Sequence, residues 1–479
     1  MTTGWTIVLD VGKTLSKASL WDEAGVCAAH RARANSLDNA GVSQTLDTAG
    51  IERWLRGVLA EFSRLGPAAA IVPVAHGAGV ALIRDGRLQH GPLDYEWPGV
   101  GADRAAYEKQ RDPFAATGSP ALPAGLNLGM QLHWLESLGS GGLRRGQLIP
   151  WAQYWAWLLC GVPASEVTSL GCHTDLWRPY DHVPSDLAVR RGWAERLGPL
   201  TPANAVLGTL HPEWIASTGL SRHVEVYCGM HDSNAALLAA RSHPQIEAHD
   251  TTVLSTGTWF VAMRTPARAF TPQVNSLSEG RDYLVNVDIS GRPIPSSRFM
   301  GGREIEILTG AHGHRGASGL PNPSVTGVDC IASAIKAIEA GDMILPTYVP
   351  GVGPFPNAKA GTHATKSGGP QPMVLAHLYA AMLADVCLDL IGSRDTLLVD
   401  GRFSAAPVFV QVLATLRPTT TVLISSDENG VAHGALRLAN VPNADVGSLR
   451  RVARLPTDMS GYRARWREAA AAAQAPGSA

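Results

Sequence analysis

Several features are scarce in this 479-residue chain, and each scarcity excludes something. Net charge is only -1, from 40 Lys+Arg against 41 Asp+Glu. No basic surface for nucleic acid, and none for a membrane, is expected from that balance. Cysteine occurs six times, at 27, 160, 172, 228, 330 and 387, with no CxxC pair. Such scatter fits reduced thiols in a cytoplasmic protein better than a disulfide frame or a zinc site. No uncharged apolar run reaches the length of a membrane span; the longest candidate, residues 373–391, carries Asp385 and Asp389. The opening residues run straight into a strand pattern, so no signal peptide is expected. No GxGxxG follows that strand, which argues against a nicotinamide dehydrogenase.

Glycine (50), proline (32) and hydrophobic residues (45%) are plentiful, as in an α/β enzyme rich in loops. The length calls for two or three domains of ordinary size. The most informative stretch is residues 6–22, TIVLDVGKTLSKASLWD. Ile7, Val8, Leu9 and Val11 predict a strand buried on both faces. Asp10 interrupts the run, Gly12-Lys13-Thr14 predicts a tight turn, and Ala18, Leu20 and Trp21 lie on a returning strand. The tip thus offers a carboxylate, an ammonium and a hydroxyl, which is chemistry for a metal ion and phosphates. Gly12-Lys13-Thr14 looks like the end of a Walker A loop. Ile7 stands where that motif needs its first glycine, however, and strand rather than helix follows.

Further along, residues 51–65 have helical spacing, 69–74 read as a buried strand, and His76-Gly77 follow. Residues 92–98, PLDYEWP, put Asp94, Tyr95, Glu96 and Trp97 between two prolines. Carboxylates that accept hydroxyl hydrogens beside an aromatic face suit a sugar, and an ordinary turn with a packed Trp is the alternative. Residues 126–138 and 148–159 predict helices; the Trp residues at 151, 155 and 157 belong to the core or wall a cleft. His173 and Asp175 are best read as satisfied structural polar groups. A strand at 224–228 leads through Gly229-Met230-His231-Asp232 into a helix at 233–240. Asp232 either caps that helix or faces a ligand as a general base.

Residues 250–263, DTTVLSTGTWFVAM, repeat the opening pattern: strand, polar turn, returning strand. Backbone N–H groups and hydroxyls in two such turns can hold phosphate oxygens. A strand at 283–289, a helix opening at Gly301-Gly302, loops at 310–327 and 343–372, and a core helix at 373–391 follow. The strand 396–399 ends in Asp400-Gly401-Arg402-Phe403, followed by helix, strand and helix at 408–416, 421–424 and 431–438. The tail after Trp466 is expected to fray.

In that order the pieces resemble the FGGY family of carbohydrate kinases, within the sugar kinase–Hsp70–actin superfamily. The matching segments are DVGKT (10–14), HG (76–77), LDYE (93–96), GMHDSNA (229–235), STGTW (255–259) and DGRFSAAPVFVQ (400–411). STGTW and the His231-Asp232 pair look most like the rhamnulokinase and fuculokinase branches. Two departures stand out: Lys13 occupies a position that is usually Thr or Ser, and Gly401-Arg402-Phe403 replaces the usual GGG, with Ala406 near the expected Asn.

The resemblance implies an α/β fold of two actin-like (ribonuclease H-like) domains with an active-site cleft between them. The domains would be 1–245 and 246–460, with a tail at 461–479. It implies phosphoryl transfer from ATP with Mg²⁺ to a hydroxyl of a sugar such as L-rhamnulose or L-fuculose. Asp232 would be the catalytic base, and Asp10 and Asp232 would face the Mg²⁺. Phosphate and ATP ligands would be Gly12, Lys13, Thr14, Lys17, Gly257, Thr258, Gly301, Gly302 and Gly401. Sugar ligands would be His76, Gly77, Asp94, Glu96, His231, Asp232 and Asn286. Lys13 would either bind the γ-phosphate or neutralise Asp10. A homodimer is compatible with this reading, and no nucleic-acid or membrane partner is expected. A non-catalytic nucleotide switch and a sugar-binding regulator without phosphoryl transfer are the rival classes.

Overall fold

The strand Trp5–Val11 sits in the middle of the first sheet, and its sequence shows why. Ile7, Leu9 and Val11 alternate onto one face and pack with the helix Thr48–Phe62. Val8 points the other way, into a cluster with Val72, Val74, Met230 and Ala435. Both faces are covered, so the apolar run is nearly continuous. The computed structural model describes residues 4–39, 41–139, 145–247, 249–267, 279–310, 328–363, 371–425, 429–441 and 447–474.

The chain forms two compact units. The first comprises Met1–Ala240, Val285–Ile294 and Asn429–Val446; the second comprises Arg241–Leu284, Pro295–Glu428 and Gly447–Ala479. In the first, the strand order is Val206–Thr209, Glu225–Tyr227, Ala68–Ala75, Trp5–Val11, Leu15–Trp21 and Cys27–Ala34. Trp5–Val11 is antiparallel to Leu15–Trp21 and parallel to Ala68–Ala75. The short strand Met230–His231 also pairs with Ala68–Ala75, in parallel.

In the second unit, Pro293–Phe299 pairs through Ser296–Phe299 with the strand Phe260–Thr265. Thr251–Thr256, Thr396–Gly401, Thr421–Ser425 and Leu449–Arg451 follow in that order. Thr251–Thr256 is antiparallel to Phe260–Thr265 and parallel to Thr396–Gly401, the same pattern as at the N-terminus. The helices Pro372–Leu390 and Pro407–Leu416 pack together beside it.

Five elements differ from the sequence expectation. Residues 343–372 contain the paired strands Met343–Leu345 and Gly361–His363, too short for an alternation signal; 364–370 lie outside the described residues. Cys27–Ala34 is a strand whose residues are largely exposed, and Val328–Ala340 is a further helix. The expected loop at 310–327 lies, beyond Gly310, outside the described residues. The tail does not fray at Trp466: Ser460–Ala473 is a helix with Tyr462, Trp466 and Ala470 buried. Tertiary contacts override its weak apolar pattern, as Trp466 Nε1 donates to the Ile344 carbonyl and Arg463 and Arg467 pair with Asp385.

The helix Pro372–Leu390 is long and apolar enough to cross a membrane by length and composition, contrary to expectation. It is 83% buried inside the protein over that window, and Asp385 is fully enclosed by Arg417, Arg463 and Arg467. Three guanidinium groups around a buried carboxylate compensate a charge that would otherwise be prohibitive there.

Candidate active site

The opening hairpin sets Asp10 directly across from Lys17, whose Nζ is 3.7 Å from Asp10 Oδ2. Burial pushes the Asp10 carboxyl up to about 6, Lys17 opposes the shift, and the nearby Asp232 charge adds to it. A buried carboxylate raised in this way, with a second one nearby, marks a place where a cation is welcome. The turn is held by a residue the sequence reading missed. Asn35 donates to the Gly12 carbonyl at 2.8 Å and accepts from the Ser16 hydroxyl at 2.8 Å, while its own N–H donates to the Thr14 carbonyl at 2.9 Å. No motif announces it, because it acts from just past the end of the strand Cys27–Ala34.

Lys13 turns away from this pair. Its ammonium lies 2.7 Å from both Asp94 Oδ1 and Glu96 Oε2, and 4.5 Å above the Tyr95 ring. The acidic aromatic loop at 92–98 and the Gly12-Lys13-Thr14 turn therefore share one charged cluster. The cation beside Asp10 is Lys17, not Lys13. Asp94 also accepts the Glu96 N–H at 3.0 Å, which stiffens the loop.

Parallel pairing of Met230–His231 with Val74–Ala75 brings His231-Asp232 alongside His76-Gly77. Gly229 makes this possible: its φ is +76°, and a Cβ there would lie 1.9 Å from the Pro73 carbonyl oxygen. Gly77 is as tightly placed, since its Cβ would come within 2.9 Å of His231 Nε2. His76 Nδ1 donates to the Gly77 carbonyl at 2.7 Å. Its Nε2 is buried with no hydrogen-bond partner among the described residues. Burial lowers the His76 pKa, while Asp232 opposes and Lys13 and His231 reinforce that shift. His231 Nε2 is 3.2 Å from Asp232 Oδ1. Asp232 opens the helix Asp232–Arg241, accepts the Ser233 N–H at 2.6 Å, and keeps 28% of its side chain exposed. It is more open than Asp10, whose side chain is 15% exposed.

Asn286 lies in the strand Tyr283–Val287, with Oδ1 buried and no partner among the described residues. Next to it, the Val287 carbonyl accepts from Asn234. Glu166 was also not anticipated. It is fully buried, and that burial pushes its carboxyl from 4.5 to about 7 against the bonds from Thr168 and Ser169. His173 and Asp175 are structural, as expected: His173 donates to the Leu126 carbonyl, and Asp175 binds Tyr107 and Arg111.

The second hairpin carries no charge at its tip. Thr256 Oγ1 donates to the Asp400 carbonyl at 2.6 Å and accepts the Phe403 N–H at 3.0 Å, which joins STGTW to the Gly401 turn. Gly401 has φ +79°, and a Cβ there would lie 2.5 Å from the Thr256 carbonyl oxygen. The helix Gly301–Thr309 starts against the Gly257 turn so closely that a Cβ on Gly302 would lie 2.1 Å from the Gly257 oxygen. Among the described residues no side chain caps this helix, so its first backbone N–H groups lie uncapped beside the Gly257-Thr258 turn, where the Gly257 N–H already donates to the Trp259 carbonyl at 3.0 Å. Thus Gly257, Thr258, Gly301, Gly302 and Gly401 group in the second unit. Asp10, Gly12, Lys13, Thr14, Lys17, His76, Gly77, Asp94, Glu96, His231, Asp232 and Asn286 belong to the first.

This doubled hairpin-and-sheet plan fits a two-domain phosphotransferase. The sequence profile of the carbohydrate kinase FGGY C-terminal domain matches residues 248–447. The chain is 46% identical to a carbohydrate kinase from Novosphingobium aromaticivorans; the match covers 99% of this chain and 100% of that one, at a TM-score of 0.88. A xylulose kinase from Rhodospirillum rubrum shares the fold at 18% identity, a TM-score of 0.76 and 98% coverage of both chains. So does a glycerol kinase with ADP from Plasmodium falciparum, at 10% identity, a TM-score of 0.76, and 98% and 99% coverage. No curated protein sequence matches the chain. The protein belongs to the FGGY carbohydrate kinases, with their two actin-like domains, and it is a sugar kinase.

Proposed function

We propose that this kinase moves the γ-phosphate of ATP to a hydroxyl of a ketose, with L-rhamnulose and L-fuculose as first choices. The observation that carries the reading is the group Asp232, His231, His76 and Asp10 in the first unit, with a buried His76 Nε2 left as an acceptor. Acceptor nitrogens and carboxylates suit a ligand made of hydroxyl donors. The His231-Asp232 pair and STGTW favour the two named ketoses. Fold relatives that are xylulose, gluconate and glycerol kinases make another pentulose or a polyol the alternative.

Asp232 takes the proton of the attacking hydroxyl. Its partial exposure lets a ligand reach it, and its tie to Ser233 aims it. His76, Gly77, His231 and Asn286 orient the sugar. Asp94 and Glu96 hold it together with Lys13, whose place in their cluster makes it part of the sugar side. Gly12, Thr14 and Lys17 are the phosphate ligands the first hairpin would supply; Gly257, Thr258, Gly301 and Gly302 are those the second unit would supply, and Gly401 is its adenosine residue. Asp10 and Asp232 fit Mg²⁺, which is ordinarily held by one or two carboxylates together with phosphate oxygens, and which offsets phosphate charge when bound. The cytoplasm is the compartment that goes with this activity.

A coupled ADP-release assay over ketoses and polyols tests the reading. L-rhamnulose or L-fuculose should give the highest kcat/KM. A higher value for xylulose, ribulose or glycerol overturns the sugar assignment. Sugar binding without ADP release across the whole panel overturns the kinase mechanism itself.

A further inference from the structure

We propose that Asn234 is a positioning residue that fixes the tautomer of His231, so that the Nε2 lone pair faces the Asp232 side. It follows from hydrogen-bond roles. A carbonyl oxygen only accepts, and the Asn234 amide nitrogen donates to that of Val287. The amide therefore presents its Oδ1, again only an acceptor, to His231 Nδ1 at 2.9 Å. A hydrogen bond there requires the proton on Nδ1. In the neutral ring, Nε2, which lies 3.2 Å from Asp232 Oδ1, is then the unprotonated nitrogen.

A neutral imidazole beside a carboxylate would otherwise place its proton on the nitrogen that faces it. Asn234 reverses that preference. The gain is an Asp232 Oδ1 that accepts from Ser233 but takes no imidazole N–H, so the carboxylate keeps acceptor capacity for a hydroxyl proton. The ring has no easy way to move. The His231 backbone N–H donates to Thr168 Oγ1 at 3.1 Å, and Thr168 in turn donates to the buried Glu166 at 2.6 Å. On the other edge the Gly77 backbone closes the space beside Nε2. The neighbouring His76 is arranged in the same sense, with Nδ1 committed as a donor to the Gly77 carbonyl and Nε2 left as an acceptor. Two adjacent histidines therefore offer lone pairs rather than N–H groups.

The proposal rests on Asp232 as the proton acceptor, and its test keeps the two separate. Protein labelled with ¹⁵N at histidine is examined over a pH series, and the tautomer is read where the spectrum itself shows a neutral ring. His231 should carry its proton on Nδ1, a result that needs no turnover. Asn234→Leu should move the proton to Nε2 and lower kcat about tenfold with the ATP KM unchanged, the scale expected of a misaligned group. Asn234→Asp keeps an oxygen for the Nδ1–H but has no donor for Val287. It should keep Nδ1 protonated and most of the kcat. An Nε2–H tautomer in the wild type overturns the proposal. So does an Asn234→Asp variant that keeps the Nδ1 proton yet is as slow as Asn234→Leu, because the Val287 tether alone would then matter. If Asn234→Leu does not fold, the wild-type spectrum and the Asp variant still decide.

Discussion

The two units build the same hairpin and arm it differently. Trp5–Val11 and Leu15–Trp21 flank a turn with Asp10, Lys13 and Lys17 around it. Thr251–Thr256 and Phe260–Thr265 flank a turn of glycine and hydroxyl residues. The strands are alike because both are buried β-branched runs parallel to a second strand, Ala68–Ala75 in one and Thr396–Gly401 in the other. The tips differ in what they offer: a carboxylate with two ammonium groups suits charged ligands and a cation, whereas a turn of glycine and hydroxyl residues offers the kind of backbone that can hold phosphate oxygens. One scaffold thus supports two kinds of chemistry, and substitutions can show whether the division is real.

The largest effect is expected on the charged side. Asp232→Asn should lower kcat at least about a hundredfold while ATP binding persists, the lower scale for a general base. Near-normal turnover in steady-state assays would remove Asp232 from that role. On the uncharged side, Gly302→Ala puts a Cβ against the Gly257 oxygen. Overpacking of that kind costs about 1–3 kcal/mol, so the ATP KM should rise roughly tenfold with the sugar KM little changed. An unchanged ATP KM would separate this turn from the nucleotide.

Lys13→Ala crosses the two readings of the first tip. With its ammonium on Asp94 and Glu96, the sugar KM should rise about fivefold, within the range for loss of one partner in a charge cluster. A fall in kcat alone, with the sugar KM intact, would return Lys13 to the phosphates.

The smallest effect on turnover is expected at the buried glutamates, Glu166 in the first unit and Glu304 in the second. Burial raises Glu304 from 4.5 to about 7, despite donors from Tyr379, Tyr348 and Val349. A carboxyl raised on folding binds more protons folded than unfolded between those values. Stability is therefore greatest below the unfolded value and is lost as pH rises towards the folded one. The loss is about 3 kcal/mol for one such group. Glu304→Gln should remove about half of the decline in urea midpoint that the two glutamates cause between roughly pH 5 and 7. An identical decline in the variant would show that Glu304 is ionised in the native protein.

Much of the candidate site was legible because its signals are local. A buried run ending in Asp10, a glycine turn, and His231-Asp232 between strand and helix each appear within a few residues of one another. Asn35, Asn234 and Glu166 were not legible. Each acts on a group placed by another strand or turn, and an Asn or Glu alone in a sequence has no direction. Lys13 was visible but its partner was not, because the distance from residue 13 to residue 94 closes only in the fold.

The sequence by itself determined the α/β class, the two matching hairpins and the order of the kinase motifs. Periodicity and turn chemistry are properties of neighbouring residues, and they survive without a fold. Tertiary structure alone decided that residues 285–294 and 429–446 cluster with the first unit, and that the helix Ser460–Ala473 is packed rather than frayed. It alone decided that Lys17 rather than Lys13 stands beside Asp10. These outcomes depend on which surfaces meet and which charges lose water together, and those energies exist only once distant segments are in contact.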